Sequence, residues 1–135
     1  YKSIGDISAY LKKIAPNGVD CFFDNVGGEQ FDAIMENLNI GARVVICGTI
    51  GMPSFPIPLG PRINRTLLIK RAKIEGLLVL DYFNKYSEIY KKLCNWFKQG
   101  KLNHKQDITY GLDTAPSSLV KVLNGSNLGK QLVKL

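Results

Sequence analysis

The sequence contains an apolar run that ends abruptly in polar residues and glycines, Val19-Asp-Cys-Phe-Phe-Asp-Asn-Val-Gly-Gly28. Nearly continuous apolar runs of this length are typical of strands that are buried inside a parallel sheet. In open α/β sheets, ligands bind in the crevice outside the carboxyl ends of such strands. The run therefore predicts a strand that opens onto a ligand crevice at Asp24 and Asn25. The pair Gly27-Gly28 predicts an immediate turn into a helix.

A second run of the same design follows after one helix length, Arg43-Val-Val-Ile-Cys-Gly-Thr-Ile-Gly51. The segment between the two runs carries an apolar stripe at helical spacing, which Gly41 is in a position to end. The stripe consists of Phe31, Ile34, Met35 and Leu38. Parallel strands need a crossover of this kind, so the three segments predict a βαβ unit. Two neighbouring strand ends are then available to one ligand.

The loop after the second run is rich in glycine and proline. Backbone amides that Gly48 and Gly51 leave unshielded are predicted to approach a phosphate or ribose closely. The prolines between Pro53 and Pro61 fix φ and remove hydrogen-bond donors, which favours an ordered, irregular loop. We expect this loop to cover the crevice.

The remaining segments continue the alternation of helices and strands. They predict helices at 7–14, 64–70, 86–98 and 117–123, and strands at 74–80, 106–110 and 129–135. The segments after residue 103 lack the buried parallel pattern, which favours a different layer or domain. The order predicts an α/β fold, namely the C-terminal half of a Rossmann-like doubly wound parallel sheet at residues 1–103.

Composition narrows the class of protein. A chain of 135 residues with 45% hydrophobic content suits a globular fold and not a disordered one. The formal net charge of +7 raises the question of nucleic-acid binding, but the basic residues are spread along the chain. Five of them fall within residues 62–73, and three interpretations stay open for that cluster: a solvated surface, an anion or cofactor-phosphate neighbourhood, and a nucleic-acid patch. We expect no nucleic-acid partner.

Cysteine and histidine usage argues against a metal site. The three cysteines have no CxxC spacing and the chain has a single histidine, so we expect reduced thiols and no metal. No apolar run approaches the roughly 20 residues of a membrane span, and no signal peptide is visible, which predicts a cytoplasmic protein without a membrane partner. Because the chain begins at Tyr1 without an initiator Met, we expect it to be part of a longer protein.

Six stretches resemble the C-terminal part of medium-chain dehydrogenases/reductases, specifically the zinc-free branch of prostaglandin reductases and NADP-dependent alkenal double-bond reductases. In the family's order they are Asp20-Cys-Phe-Phe-Asp-Asn-Val-Gly-Gly28, Arg43-Val-Val-Ile-Cys-Gly48, Gly60-Pro61, Ile74-Glu-Gly76, Trp96-Phe-Lys-Gln-Gly-Lys101 and Gly125-Ser-Asn-Leu-Gly-Lys130. Each stretch alone is weak, but together they are specific. The resemblance implies an NADPH-dependent enzyme that reduces the C=C bond of α,β-unsaturated aldehydes and ketones.

The resemblance also implies roles for individual residues. The positions that match cofactor-contacting positions of the family are Tyr1, Asn25, Cys47, Gly48, Thr49, Ile50, Gly51, Leu77, Leu78, Val79 and Asn127. For Asn25 and Asn127, a purely structural turn role is the alternative. Asp24 is interpreted as a structural acceptor at the strand end and not as a general base. The resemblance further implies a homodimer, and it implies that residues 104–135 return to the catalytic domain.

Two departures from the family pattern limit these expectations. The family's glycine-rich phosphate turn and its 2′-phosphate lysine lie upstream of Tyr1, so we expect the isolated 135 residues to be inactive. Many relatives carry a tyrosine shortly after the Cys-Gly loop, where this sequence has Met52-Pro53-Ser54. Tyr82 does not match that position, and the catalytic residues stay unassigned. A quinone oxidoreductase of the same superfamily and a non-catalytic, dimerising nucleotide-fold module are the alternative functions.

Overall fold

The computed structural model describes residues 5–52 and 55–135. Contacts divide the chain into two compact units, Tyr1–Phe83 and Asn84–Leu135. The domain division that the sequence predicts at residue 103 stays a prediction. Among the described helices, none has the length and apolar character that crossing a bilayer requires.

The first unit is built around a parallel sheet of three strands. The elements in chain order are α1 (Ile7–Ile14), β1 (Val19–Asp24), α2 (Glu29–Glu36), β2 (Leu38–Ile46), α3 (Asn64–Lys70) and β3 (Lys73–Gly76). The strands lie in the order β1-β2-β3, and both pairs are parallel. The predicted βαβ unit is therefore confirmed.

The core of this unit lies on one face of β2. Leu38, Ala42 and Val44 are each 1% exposed, and they pack with Ile34 and Met35 of α2. Side chains of a strand point to alternate faces, which explains why Arg43, between Ala42 and Val44, is exposed. The apolar stripe that predicted the helix therefore does bury its side chains.

The predicted end of that helix is wrong. α2 stops at Glu36, Leu38 is the first residue of β2, and Gly41 lies inside the strand with φ 78°. The register shifts at this point, because Val19 pairs with Leu38 while Cys21 pairs with Arg43. Leu38 would be buried both as a residue of the helix and as the first residue of the strand, so an apolar stripe alone could not locate the end of the helix.

The predicted strand at 74–80 is also too long. β3 ends at Gly76, and a 3-10 helix, Val79–Lys85, follows. Leu77 still donates its N–H to the carbonyl oxygen of Ile46 at 2.8 Å, but Leu78 and Val79 leave the ladder and are more than half exposed. An apolar run is compatible with both conformations, since hydrophobicity does not report where the backbone turns.

The second unit contains a separate parallel sheet of two strands. Its elements are α4 (Tyr86–Lys98), β4 (Gln106–Tyr110), a 3-10 helix (Leu112–Thr114), α5 (Ala115–Leu123) and β5 (Lys130–Lys134). β4 pairs with β5 from Gln106↔Lys130 to Tyr110↔Lys134. The predicted strand–helix–strand order after residue 103 is confirmed, and α5 is the crossover that a parallel pair requires.

Candidate functional site

The carboxyl ends of three strands meet at one edge of the first sheet. The last paired residues of β1, β2 and β3 stand side by side in the register. Asn25, Cys47 and Leu77, which come directly after these strands, therefore leave the sheet at the same edge. Three of the segments that the sequence singled out are thus brought together by parallel pairing.

The loop after β2 is attached to the turn after β1 by backbone hydrogen bonds. The N–H of Cys47 donates to the carbonyl oxygen of Asp24 at 2.7 Å, and the N–H of Gly51 donates to that of Val26 at 2.8 Å. A tight turn inside the loop is closed by a bond from Met52 N–H to the carbonyl oxygen of Thr49 at 2.9 Å. Residues 47–51 are consequently held against residues 24–26.

Glycine is needed in this loop because the two segments approach so closely. A Cβ atom on Gly48 would lie 2.9 Å from the carbonyl oxygen of Asn25, and one on Gly51 would lie 2.7 Å from Cγ1 of Val26. Both distances are shorter than the usual contact between a carbon and another heavy atom.

The Gly48 and Gly51 amides, which the sequence predicts to approach a phosphate or ribose closely, both donate inside the protein, and their contact with a ligand stays a prediction. Gly48 N–H donates to the carbonyl oxygen of Asp24 at 3.2 Å, and Gly51 N–H is bonded to Val26. Groups that already donate inside the protein are poor donors to a ligand. A ligand at this edge would meet the exposed residues Thr49 and Ile50 instead.

Two cavities of about 550 and 320 Å³ flank the turn. The residues that line both of them are Gly27, Gly28, Asp32, Met52, Pro58 and Leu59. The smaller cavity is also lined by Asp24, Thr49 and Pro61. The described part of the proline-rich loop therefore forms a wall of the crevice, as predicted, while Pro53 and Ser54 lie outside the described residues.

Acidic side chains in the cavity wall limit what can bind there. Burial raises the pKa of Asp32, and the charges of Glu36 and Glu29 raise it further. Glu29 lines the larger cavity together with Asp32. Carboxylates accept hydrogen bonds and repel anions, so this wall suits hydroxyl or amide donors of a ligand and not a phosphate.

Asn127 belongs to the second unit, in the turn between α5 and β5. Its side-chain amide donates to the carbonyl oxygen of Gly129 at 2.8 Å. This local bond is of the kind expected if Asn127 has only a structural role in the turn. Its cofactor contact stays a prediction. Tyr1, the first of the predicted contacts, lies outside the described residues.

An ion pair supports the turn that carries Asn127. Oδ2 of Asp107 accepts from Nζ of Lys121 at 2.6 Å and from the N–H of Leu128 at 3.2 Å. The hydrogen bond from Lys121 lowers the pKa of Asp107, and the bond from the Leu128 amide adds to this effect. The turn is therefore tied to both β4 and α5 by one carboxylate.

Asp24 was absent from the residues that the sequence assigned to the site. It is 1% exposed, and Oδ1 accepts from the N–H groups of Val26 and Gly27, each at 2.9 Å. An aspartate that caps backbone amides two and three residues ahead is a known way to stabilise a turn. Asp24 is thus the structural acceptor at the strand end that the sequence predicted.

The predicted absence of a metal is not tested by the structure. Within residues 5–52 and 55–135, no three His, Cys, Asp or Glu side chains group as a metal site would require. The zinc-free site stays a prediction.

Comparison with known proteins identifies the family. A family model described as zinc-binding dehydrogenase matches residues 2–133. The chain belongs to the zinc-binding dehydrogenase family. The resemblance to medium-chain dehydrogenases/reductases is thereby confirmed.

Individual members of this family are similar over nearly the whole chain. The NADP⁺-dependent 2-alkenal reductase of Nicotiana tabacum is 37% identical over 98% of this chain and 39% of the relative. The (+)-pulegone reductase of Mentha piperita is 35% identical over 98% of this chain and 39% of the relative. CurA of Vibrio vulnificus, solved in complex with NADPH, superposes with a TM-score of 0.85 at 36% identity and covers 98% of this chain and 41% of that chain.

The chain therefore spans about two fifths of the length of these relatives. The superposition on CurA confirms the predicted fold, an α/β chain that corresponds to the C-terminal half of a Rossmann-like domain.

Proposed function

We propose that this chain is part of an NADPH-dependent oxidoreductase that reduces the C=C bond of α,β-unsaturated aldehydes and ketones. The observation that carries the proposal is the meeting of three strand ends at one edge of the sheet, beside two cavities. The similarity to a 2-alkenal reductase, a pulegone reductase and an NADPH-bound CurA supports the cofactor and the substrate class.

The residues at this edge fit a dinucleotide. In the proposal, Asn25, the loop at residues 47–51 and residues 77–79 contact the cofactor, and a cofactor contact of Asn127 stays a prediction of the family resemblance. NADPH supplies the hydride when it is bound. The chain's own residues bind and orient the ligand, and Pro58, Leu59 and Pro61 form one wall of the crevice in which it lies.

The acidic wall refines this assignment. Glu29 and Asp32 favour a hydroxyl-bearing or amide-bearing part of the ligand on their side. In the proposal, the phosphates therefore lie away from α2, and the ribose or nicotinamide amide lies nearer to it.

Cofactor binding tests the proposal first. We expect the full-length protein to enhance and shift NADPH fluorescence, with saturation on titration. Asn25→Ala removes a polar side chain at the strand end, and we expect it to raise the Kd for NADPH about three- to tenfold. Asn17→Ala is the matched control, because Asn17 is exposed and lies before β1, at the opposite end of that strand. Absence of NADPH binding by the wild-type protein would refute the proposal.

A substrate panel tests the reaction. We expect NADPH oxidation with 2-alkenals and cyclic enones, and a saturated aldehyde or ketone as the product. Turnover of quinones without turnover of enones would move the protein to the quinone oxidoreductases. The homodimer stays a prediction. Sedimentation of the full-length protein in the analytical ultracentrifuge would measure its oligomeric state.

A further inference from the structure

Asp24 is the point at which the two segments of the site are joined. Its carboxylate accepts two hydrogen bonds from the turn that follows, from the N–H groups of Val26 and Gly27 at 2.9 Å each. Its carbonyl oxygen accepts two more from the loop after β2, from Cys47 N–H at 2.7 Å and Gly48 N–H at 3.2 Å. Asp24 thus accepts four hydrogen bonds from backbone N–H groups in two segments that are twenty positions apart.

Asn25 lies inside this arrangement. It stands between Asp24, which accepts these bonds, and Val26, whose N–H donates one of them and whose carbonyl oxygen accepts another from Gly51 N–H. Its carbonyl oxygen is so close to Gly48 that a Cβ there would come within 2.9 Å. The backbone of Asn25 therefore has little freedom as long as the Asp24 carboxylate holds the turn.

The turn needs such an acceptor. Gly27 is buried and has φ +71°, and its N–H and that of Val26 both donate to Oδ1 of Asp24. Buried backbone donors without a partner are costly, so removal of the carboxylate would force the turn to rearrange. The Asp24 side chain itself is buried, at 1% exposure.

We propose that Asp24 is a positioning residue, which sets the orientation of Asn25 and the placement of residues 47–51 for cofactor binding without touching the substrate. Its effect depends on the acceptor atom Oδ1 and not on the negative charge, so the side-chain amide of an asparagine could replace the carboxylate. The expected effect of Asp24 on NADPH affinity rests on the proposed function. The expected effect of Asp24 on the backbone of residues 25–27 and 47–51 does not.

Three substitutions in the full-length protein separate the possible roles of Asp24. Asp24→Asn keeps an acceptor at the same place, Asp24→Leu keeps the volume without the acceptor, and Asp24→Ala is the smaller substitute if the leucine variant does not fold. Asp20→Leu is the matched control, because Asp20 is an exposed aspartate of the same strand. The measurements are the Kd for NADPH, the thermal midpoint and amide hydrogen exchange.

We expect the variants to differ in their Kd for NADPH according to whether they keep an acceptor at position 24. Asp24→Asn keeps the Kd within about threefold of wild type, whereas Asp24→Leu or Asp24→Ala raises it about tenfold or more. Loss of exchange protection at the Val26, Gly27 and Gly48 amides accompanies that increase and is absent in Asp24→Asn and Asp20→Leu.

Three results would overturn the inference. Equal losses of affinity in Asp24→Asn and Asp24→Leu would mean that the charge matters and not the acceptor. A lower thermal midpoint with unchanged Kd would mean that Asp24 is merely structural. Unchanged exchange at the Val26 and Gly48 amides would refute the coupling even in a protein that does not bind NADPH, whereas a missing wild-type NADPH signal alone would count against the proposed function.

Discussion

Different kinds of interaction hold the predicted ligand-contacting segments of the two units in place. At the edge of the first sheet, residues 24–26 and 47–51 are joined by backbone hydrogen bonds above an apolar core. The turn with Asn127 depends on an ion pair between Asp107 and Lys121, and Ser118 is the one buried residue among residues 84–135. Backbone bonds do not titrate, whereas an ion pair does. The bonds that join residues 24–26 to residues 47–51 should therefore depend on packing, and the turn with Asn127 should depend on pH.

The largest expected difference concerns the core. Leu38→Ala removes a side chain that is 1% exposed, and we expect a loss of about 2–5 kcal/mol in the free energy of unfolding. Leu132→Ala is the matched change in the second unit, where the side chain is 37% exposed, and it should cost less than about 2 kcal/mol. Urea unfolding measures both values. Equal losses in the free energy of unfolding for the two variants would contradict the expectation that burial makes Leu38 the more important side chain.

A second difference concerns the glycine contacts at the strand ends. We expect Gly48→Ala to destabilise the protein by about 1–3 kcal/mol, because the new Cβ would overlap with the carbonyl oxygen of Asn25. Gly76→Ala in β3 is the control, since a Cβ there would meet nothing within 4 Å. NADPH affinity should fall with the first substitution alone. Similar effects of both would show that the close approach is unimportant.

A smaller effect is expected from Asp32 in the cavity wall. Its pKa in the folded protein is raised above the ordinary value of 3.8, so folding disfavours its ionised form. The resulting cost is present above the folded pKa and disappears as the pH falls toward 3.8. Asp32→Asn should therefore stabilise the protein at pH 7, by under about 1 kcal/mol, and have no such effect at pH 3. Thermal unfolding across this range, with Asp20→Asn as the control, measures the difference, and a gain that persists at pH 3 would contradict it.

The pH dependence of Asp107 should have the opposite sign. Its pKa is lowered in the folded protein, so it stabilises the fold above 3.8, and this contribution is lost as the pH falls from 3.8 through the folded pKa. We expect amide exchange at Leu128 to accelerate in that window. Asp107→Asn should remove the pH dependence, and Lys121→Met should weaken it. An exchange rate at Leu128 that is unchanged by Asp107→Asn would contradict the role of the ion pair.

The sequence predicted the elements better than it predicted their ends. The run at residues 19–28 gave the strand, the turn and the helix in the right order, because period and polarity are local properties. Leu38 and residues 77–80 were assigned wrongly because an apolar side chain can be buried from more than one kind of backbone. The acceptor role of Asp24 was predicted, but its bonds with Cys47 and Gly48 were not, because these partners are distant in the sequence.

The sequence by itself determined the parallel βαβ architecture, the family and the set of strand ends at which a ligand can lie. Only the tertiary structure decided that the Gly48 and Gly51 amides are used inside the protein, that acidic side chains form a cavity wall, and that Asp24 connects the two loops. The reason is physical. A pattern of apolar residues reports which side chains are buried, whereas a hydrogen bond between distant segments depends on the register of the strands that carry them.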